Sequence, residues 1–220
     1  MIIVVGAGPG VSGSVARRFG REGYDVGLVG LGEVLEQVGT GLQAEGITAG
    51  WAAADVTDEA ALTSAVTRLA EHTGRIDVLH FNPSAFRQKD PLALSVPELV
   101  QDVAVGVGAL LTSLQAARPF MGSGARVTAT GSMAADKPWH EAASLGVQKA
   151  GLRNLVHSID RTLESAGIRA VSVTVAGSLA PSDPSSPFHP DRVAEAIYAA
   201  AHQDEAVWRS EVVHPAATAG

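Results

Sequence analysis

The chain has 220 residues and no cysteine, which excludes disulfides, thiolate catalysis and cysteine-ligated metals. Apolar residues make up 46% and charged residues 18%, a globular composition, and the length suits a single domain over residues 1–220. The formal net charge is −7 and there is no run of five basic residues, which argues against a nucleic-acid or anionic-membrane partner.

The N-terminal run Met1–Val5 carries no basic residue and stops at Gly6, too short for a leader peptide. No apolar run reaches the roughly 18 residues of a membrane span. A cytoplasmic protein is the expectation.

In chain order, Ile2–Val5 reads as a buried strand, followed by a glycine turn and a helix over Gly13–Glu22. Asp25–Val29 is a second strand, Glu33–Glu45 a helix and Ile47–Ala53 a third strand. A helix over Asp58–His72, capped by Asp58 or Thr57, leads to a fourth strand at Ile76–Phe81. Pro83–Pro91 is a loop. Helices over Ser95–Val103 and Val105–Met121 precede a fifth strand at Arg126–Thr130. A long helix over Glu141–Ser165, a strand at Ile168–Val175, a loop rich in proline over Ala180–Pro190, a helix over Asp191–Ala201 and a short strand at Glu211–Val213 complete the chain. Strands alternating with helices imply βαβ units. The expected fold class is α/β: a Rossmann-like, doubly wound parallel sheet of about seven strands with helices on both faces.

The first strand runs into Gly6-Ala7-Gly8-Pro9-Gly10-Val11-Ser12-Gly13 at the start of a helix. Glycine lets backbone approach a pyrophosphate, and the helix amides and dipole favour the anion. The plainer reading is a tight turn that binds nothing.

With these residues the chain resembles the short-chain dehydrogenase/reductases over nearly its whole length. Gly6, Gly10 and Ser12 lie on the family's GxxxGxG turn, with Gly8 between them and serine for the third glycine. Asp55-Val56 resembles the segment that holds adenine. Asn82 matches one position of the NNAG motif, Ser132 follows the fifth strand where the family keeps its catalytic serine, and Lys149 ends a YxxxK-like helix segment. Val175-Ala176-Gly177 resembles the turn after the sixth strand. The resemblance implies a nicotinamide cofactor, NAD or NADP, bound by Gly6, Gly8, Gly10, Ser12, Asp55, Val56, Asn82, Lys149 and Gly177.

The departures bear on chemistry. The family's tyrosine, four residues before the lysine and thirteen after the serine, falls on Leu145 by both counts. Its tetrad asparagine aligns with Gly106. Leucine has no exchangeable proton, and losing a positioned acid costs about 10²–10⁴ in rate. The catalytic candidates are therefore Ser132, Lys149 and, as a substitute proton donor, His140. Plainer readings are a loop cap for Ser132, a solvated helix lysine for Lys149 and a solvated loop histidine for His140. His80 is read as core and His157 as a helix-packing residue. No metal site is expected. Val29-Gly30-Leu31-Gly32 offers neither the acid nor the arginine that selects between the two cofactors.

The expected function is an NAD(P)-dependent oxidoreductase acting on a small carbonyl or alcohol substrate with an altered proton relay. The alternative is a redox-inactive member of the fold that performs non-redox chemistry, as a cyclase, isomerase or lyase, or only binds. The segment Ser178–Pro190 is short, which leaves the pocket open or completed by a neighbouring subunit. Small residues on the helices over Val105–Met121 and Glu141–Ser165, including Ala109, Ala116, Ala117, Ala142, Ala143 and Ala150, together with the family's habit of pairing through these helices, imply a homodimer or homotetramer.

Overall fold

The computed structural model describes residues 1–216. Seven strands form one parallel sheet: β1 (Ile2–Val5), β2 (Val26–Gly30), β3 (Ala49–Ala53), β4 (Val78–Phe81), β5 (Arg126–Ser132), β6 (Arg169–Val175) and β7 (Glu211–His214). Their spatial order is β3-β2-β1-β4-β5-β6-β7. β1 pairs with β2 on one side and β4 on the other, Val5 lying opposite Val29 and Phe81. The order reverses there, so a crevice opens beyond the carboxyl ends of β1 and β4.

The central strands are apolar on both faces because helices cover both. Ile3, Val5, Leu79, Phe81, Val127 and Ala129 join α3 (Glu59–Thr73), α5 (Ala109–Ala117) and α6 (Ala143–Leu163) in one core. Ile2, Val4, Val78, Val171 and Val173 join α1 (Val11–Arg21), α2 (Gly32–Ala44) and α7 (Pro190–Ala201) in the other. α1 and α7 are also tied by Ser14 Oγ, which donates to Asp191 Oδ1 at 2.6 Å.

Helix ends follow their capping chemistry. Asp58 accepts from the amide of Ala61 at the head of α3. Ser95 and Glu98 form a reciprocal capping box at the head of α4 (Val96–Val103). The expected break between two helices at position 104 is absent. A π-helical segment, Ala104–Gly108, joins α4 to α5. With the 3₁₀ turn at Arg118–Phe120, one helical rod of 25 residues results, long and apolar enough by length and composition to cross a bilayer. The sequence reading missed this because it broke the segment in two. The rod packs one face into the protein: Asp102, Gly106, Ala109, Leu110, Ser113, Ala116 and Ala117 are buried.

Of the small residues singled out for assembly, Ala109, Ala116, Ala117 and Ala142 are buried within the protomer, while Ala143 and Ala150 are half-buried. The outer surface of α5 and α6 instead shows Leu111 and Val147, and that of the adjoining α4 shows Val96 and Val100.

Candidate active site

β1 stops at Val5 and the chain turns at Gly6, where φ is +77°. A Cβ there would lie 2.8 Å from the Pro83 ring, so both backbone conformation and the segment after β4 require glycine. α1 begins at Val11 with Gly10 as its N-cap, no side-chain cap and no acid in its first turn. Its opening amides are left for an anion. Ser12 Oγ accepts from the Gly8 amide at 3.0 Å and donates to the Gly8 carbonyl at 3.3 Å, closing the turn. A Cβ on Gly13 would sit 2.7 Å from the Gly8 carbonyl oxygen. Gly13 is thus the glycine of close approach, a role that sequence reasoning missed by stopping at Ser12.

The ends of the central strands open onto a cavity of about 410 Å³. Gly6, Gly8, Gly10 and Ser12 line it from the turn, Asn82 from the end of β4, Ser132 from β5, Lys149 from α6 and Gly177 from beyond β6. Ser84, Thr130 and Leu179 also line it and were not anticipated. Asp55 and Val56 lie elsewhere, past β3. One oxygen of Asp55 accepts from the amide and the hydroxyl of Thr57, at 2.9 and 2.7 Å. These bonds hold its carboxyl below the usual range.

Lys149 is not solvated: it is 6% exposed, and Nζ donates to the Thr130 carbonyl at 2.9 Å. No carboxylate pairs with it among the described residues, and burial pushes its ammonium down to about 8. His80 lies behind the cavity on β4, fully buried, as the core reading expects. Nδ1 is 2.9 Å from Thr128 Oγ1 and Nε2 is 3.5 Å from Thr130 Oγ1. Burial first, and the Lys149 charge second, hold His80 neutral down to about 3. Ser132 Oγ accepts from the Ala134 amide at 3.2 Å, so the cap reading is realised while the hydroxyl proton stays available to a ligand. β5 runs on to Ser132 rather than ending at Thr130, because pairing with β6 continues to Val175.

The segment after β4 is strapped across the head of α6. Gln148, fully buried, accepts from the Ala85 amide at 3.0 Å and donates to the Ala85 carbonyl at 3.1 Å. Lys89 O accepts from the Ala143 amide at 3.1 Å. Arg87 grips Asp102 with two bonds, at 3.1 and 2.9 Å, and Lys89 reaches Glu98 at 2.6 Å. Leu145 is half-buried and Gly106 is buried in the π segment.

His140 does not line this cavity. It lines a second, apolar one of about 590 Å³ between the heads of α4 and α6, with Trp139, Val96 and Val147. His157 is half-buried on α6, and its Nε2 is buried without a hydrogen-bond partner. At the end of β2, Leu31 is 59% exposed and Glu33 opens α2. The nearby Arg17 is turned to Glu45 at 2.6 Å.

Beyond β6 the connection to α7 is bound up with itself. Ala180 donates to Phe188 O, Asp183 to Ala180 O and Ser186 to Asp183 O, each at 3.1 Å. His214 Nε2 lies 2.7 Å from Pro187 O. The Phe188 ring closes over Gly177, where a Cβ would be 2.4 Å away.

A glycine turn against an uncapped helix, set at the reversal of a parallel sheet, defines a dinucleotide-type α/β site. The family profile described as enoyl-(acyl carrier protein) reductase matches residues 6–218. The chain belongs to the short-chain dehydrogenase/reductase family. It is 30% identical to cis-4-hydroxycyclohexanecarboxylate dehydrogenase of Sinomonas cyclohexanicum, over 78% of this chain and 70% of that protein. It is 28% identical to oxidoreductase UcpA of Salmonella typhimurium, over 78% of this chain and 66% of that one. Among solved structures, a dehydrogenase/reductase from Sinorhizobium meliloti superposes with a TM-score of 0.89 at 22% identity, covering 97% and 92% of the two chains. A short-chain dehydrogenase from Burkholderia cenocepacia in complex with NADP superposes with a TM-score of 0.86 at 24% identity, covering 97% and 95%.

Proposed function

We propose that this protein is a nicotinamide-dinucleotide-dependent oxidoreductase that acts on a small carbonyl or alcohol substrate. The observation that carries this reading is the union in one cavity of the uncapped α1 N-terminus, Ser132 and the buried, carboxylate-free Lys149. The residues present fit the cofactor: Gly8 and Gly10 leave open space where a Cβ would stand, and the amides of the first turn of α1 have no cap to compete with a pyrophosphate. The turn from Gly6 to Ser12 would hold the pyrophosphate, and Asp55 and Val56 the adenine. Asn82, Lys149 and Gly177 would hold the nicotinamide end. NADP in a fold relative supports a dinucleotide here. The bound cofactor supplies hydride donation or acceptance. Ser132 polarises the substrate oxygen with its free hydroxyl proton, and Leu145 at the family's tyrosine position supplies none.

Calorimetric titration with NADH and NADPH, followed by loss of absorbance at about 340 nm with ketone substrates, tests this reading. Binding together with consumption of the reduced dinucleotide is expected. Conversion of a substrate with no dinucleotide present would replace it with the non-redox reading, and no binding of either would leave only a vestigial pocket.

A further inference from the structure

The described residues that line the cavity carry a single side chain that titrates in water, Lys149. The others are glycine, aliphatic residues, three serines, a threonine and an asparagine. The candidate histidines are elsewhere: His80 is sealed behind Thr130, and His140 faces the second cavity. Resting on the reading above, we propose that the Lys149 ammonium is itself the general acid of this site, giving a proton from Nζ to the substrate oxygen while hydride from a reduced nicotinamide reaches the carbonyl carbon. The substrate C–H and O–H bonds form, the carbonyl π bond, one Nζ–H bond and the hydride-bearing C–H bond of the reduced nicotinamide break, and the products are the alcohol, oxidised nicotinamide and a neutral Lys149 amine. Solvent at the cavity mouth restores the proton. The alcohol-to-ketone direction runs the same steps in reverse.

The geometry suits that task. One N–H of Nζ is committed to the Thr130 carbonyl, which anchors the group and leaves two for ligands. The neutral amine can keep the same bond, so no rearrangement accompanies proton loss. The charged groups around Lys149 leave it unpaired. Arg153, one turn along α6, is engaged with Asp136 and Glu211. Arg87 and Asp102, from the strap and α4, hold each other. From β4 comes only neutral His80. Burial without a counter-ion then brings the ammonium to about 8, near the pH at which an acid must both hold and release a proton. Beside a tyrosine, a lysine at this position would be an accessory to a better acid; beside Leu145 it has no such competitor.

The test uses Lys149→Arg, which keeps the charge and the donors for a ribose but does not give up its proton near neutrality. The probes are NADH and NADPH with cyclohexanone and 4-oxocyclohexanecarboxylate. Only three lysines occur, so the Lys149 Nζ signal in an NMR titration of the dinucleotide-free protein is assigned by its loss in the variant. The expected result is a midpoint near 8, a variant that binds dinucleotide within about threefold of wild type, and turnover lowered by about a hundredfold or more. A midpoint above about 9.5, or a variant reducing the same ketone within about threefold of wild type with an unchanged pH profile, overturns the inference alone. Wild-type binding without reduction of either ketone also overturns it. Absence of dinucleotide binding by wild type overturns the functional reading itself. Should the arginine variant fold poorly, the wild-type titration and pH profile decide.

Discussion

Gly106 and Gln148 occupy one volume between them. A Cβ on Gly106 would stand 2.5 Å from Gln148 Oε1 and 3.0 Å from its Cβ. By the resemblance drawn from the sequence, the expected counterpart of Gly106 is an asparagine. Here the α6 glutamine fills that space and spends its amide on Ala85, pinning the strap after β4.

Gly106→Asn is therefore expected to be destabilising, because it must expel the buried Gln148 and leave the half-buried Ala85 backbone without its partners. The cost should be about 1–3 kcal/mol. In the double variant with Gln148→Ala the second change should cost less than it does alone. Urea unfolding of the four proteins measures the coupling. Additive costs would show that the two residues do not share the space.

Leu145→Tyr should raise ketone reduction, by up to about a hundredfold, as a phenol takes over proton donation. The gain is smaller if the ring displaces neighbours of a half-buried leucine. An unchanged rate in a folded variant would show that a hydroxyl there does not reach the substrate.

Acidification should weaken the fold through His80. Its ordinary value of 6.5 is lowered to about 3 in the folded chain, so between those values the unfolded chain binds more protons. Stability contributed by the neutral ring is complete above about pH 6.5 and falls as the pH falls towards 3, at about 1.4 kcal/mol per unit. A loss on the order of 3 kcal/mol is expected between about pH 6.5 and pH 4 from this group. His80→Asn does not titrate and should show a flatter slope. Denaturant titrations at the two pH values compare them, and equal slopes would remove His80 as the cause.

Discrimination between the two dinucleotides should be under about tenfold, since a good charged contact is worth more than about 1.4 kcal/mol, the end of β2 presents an exposed leucine, and the neighbouring Glu33 is taken up in the first turn of α2. Leu31→Arg should tighten NADPH at least about tenfold over NADH. Calorimetry with both ligands reads it, and an unaltered ratio would place the ribose away from residue 31.

Assembly should run through the outer face of α4, α5 and α6, where Val96, Val100, Leu111 and Val147 are 73%, 61%, 44% and 50% exposed. A dimer or tetramer by light scattering at micromolar concentration is expected, with Val100→Glu moving the mass towards one chain. A wild-type mass of one chain would refute it.

The sheet was legible because helices cover both its faces. Runs such as Ile2–Val5 then stay apolar throughout and stand out between amphipathic segments. The glycine turn was legible for a local reason too, as four glycines crowd into the eight residues Gly6–Gly13. What escaped notice depends on distant partners. Gln148 finds Ala85 across 63 positions, and the end of β5 is set by its pairing with β6. His140 lies close to Ser132 in sequence, yet the turns at Met133–Ala135 and His140–Ala142 carry it to a different cavity. The π segment has no residue signature comparable to a proline or a cap.

The self-bonded connection between β6 and α7 bears on the rhythm of turnover. A flap over an active site must open before product leaves, and that opening often limits the rate. Here the backbone bonds from Ala180 to Phe188 and the His214 clasp on Pro187 hold the segment as a fixed rim. Under the proposed activity the expectation is ligand exchange governed by contacts within the cavity and a turnover rate insensitive to solvent viscosity; a rate that falls in proportion to added viscosogen would count against a fixed rim.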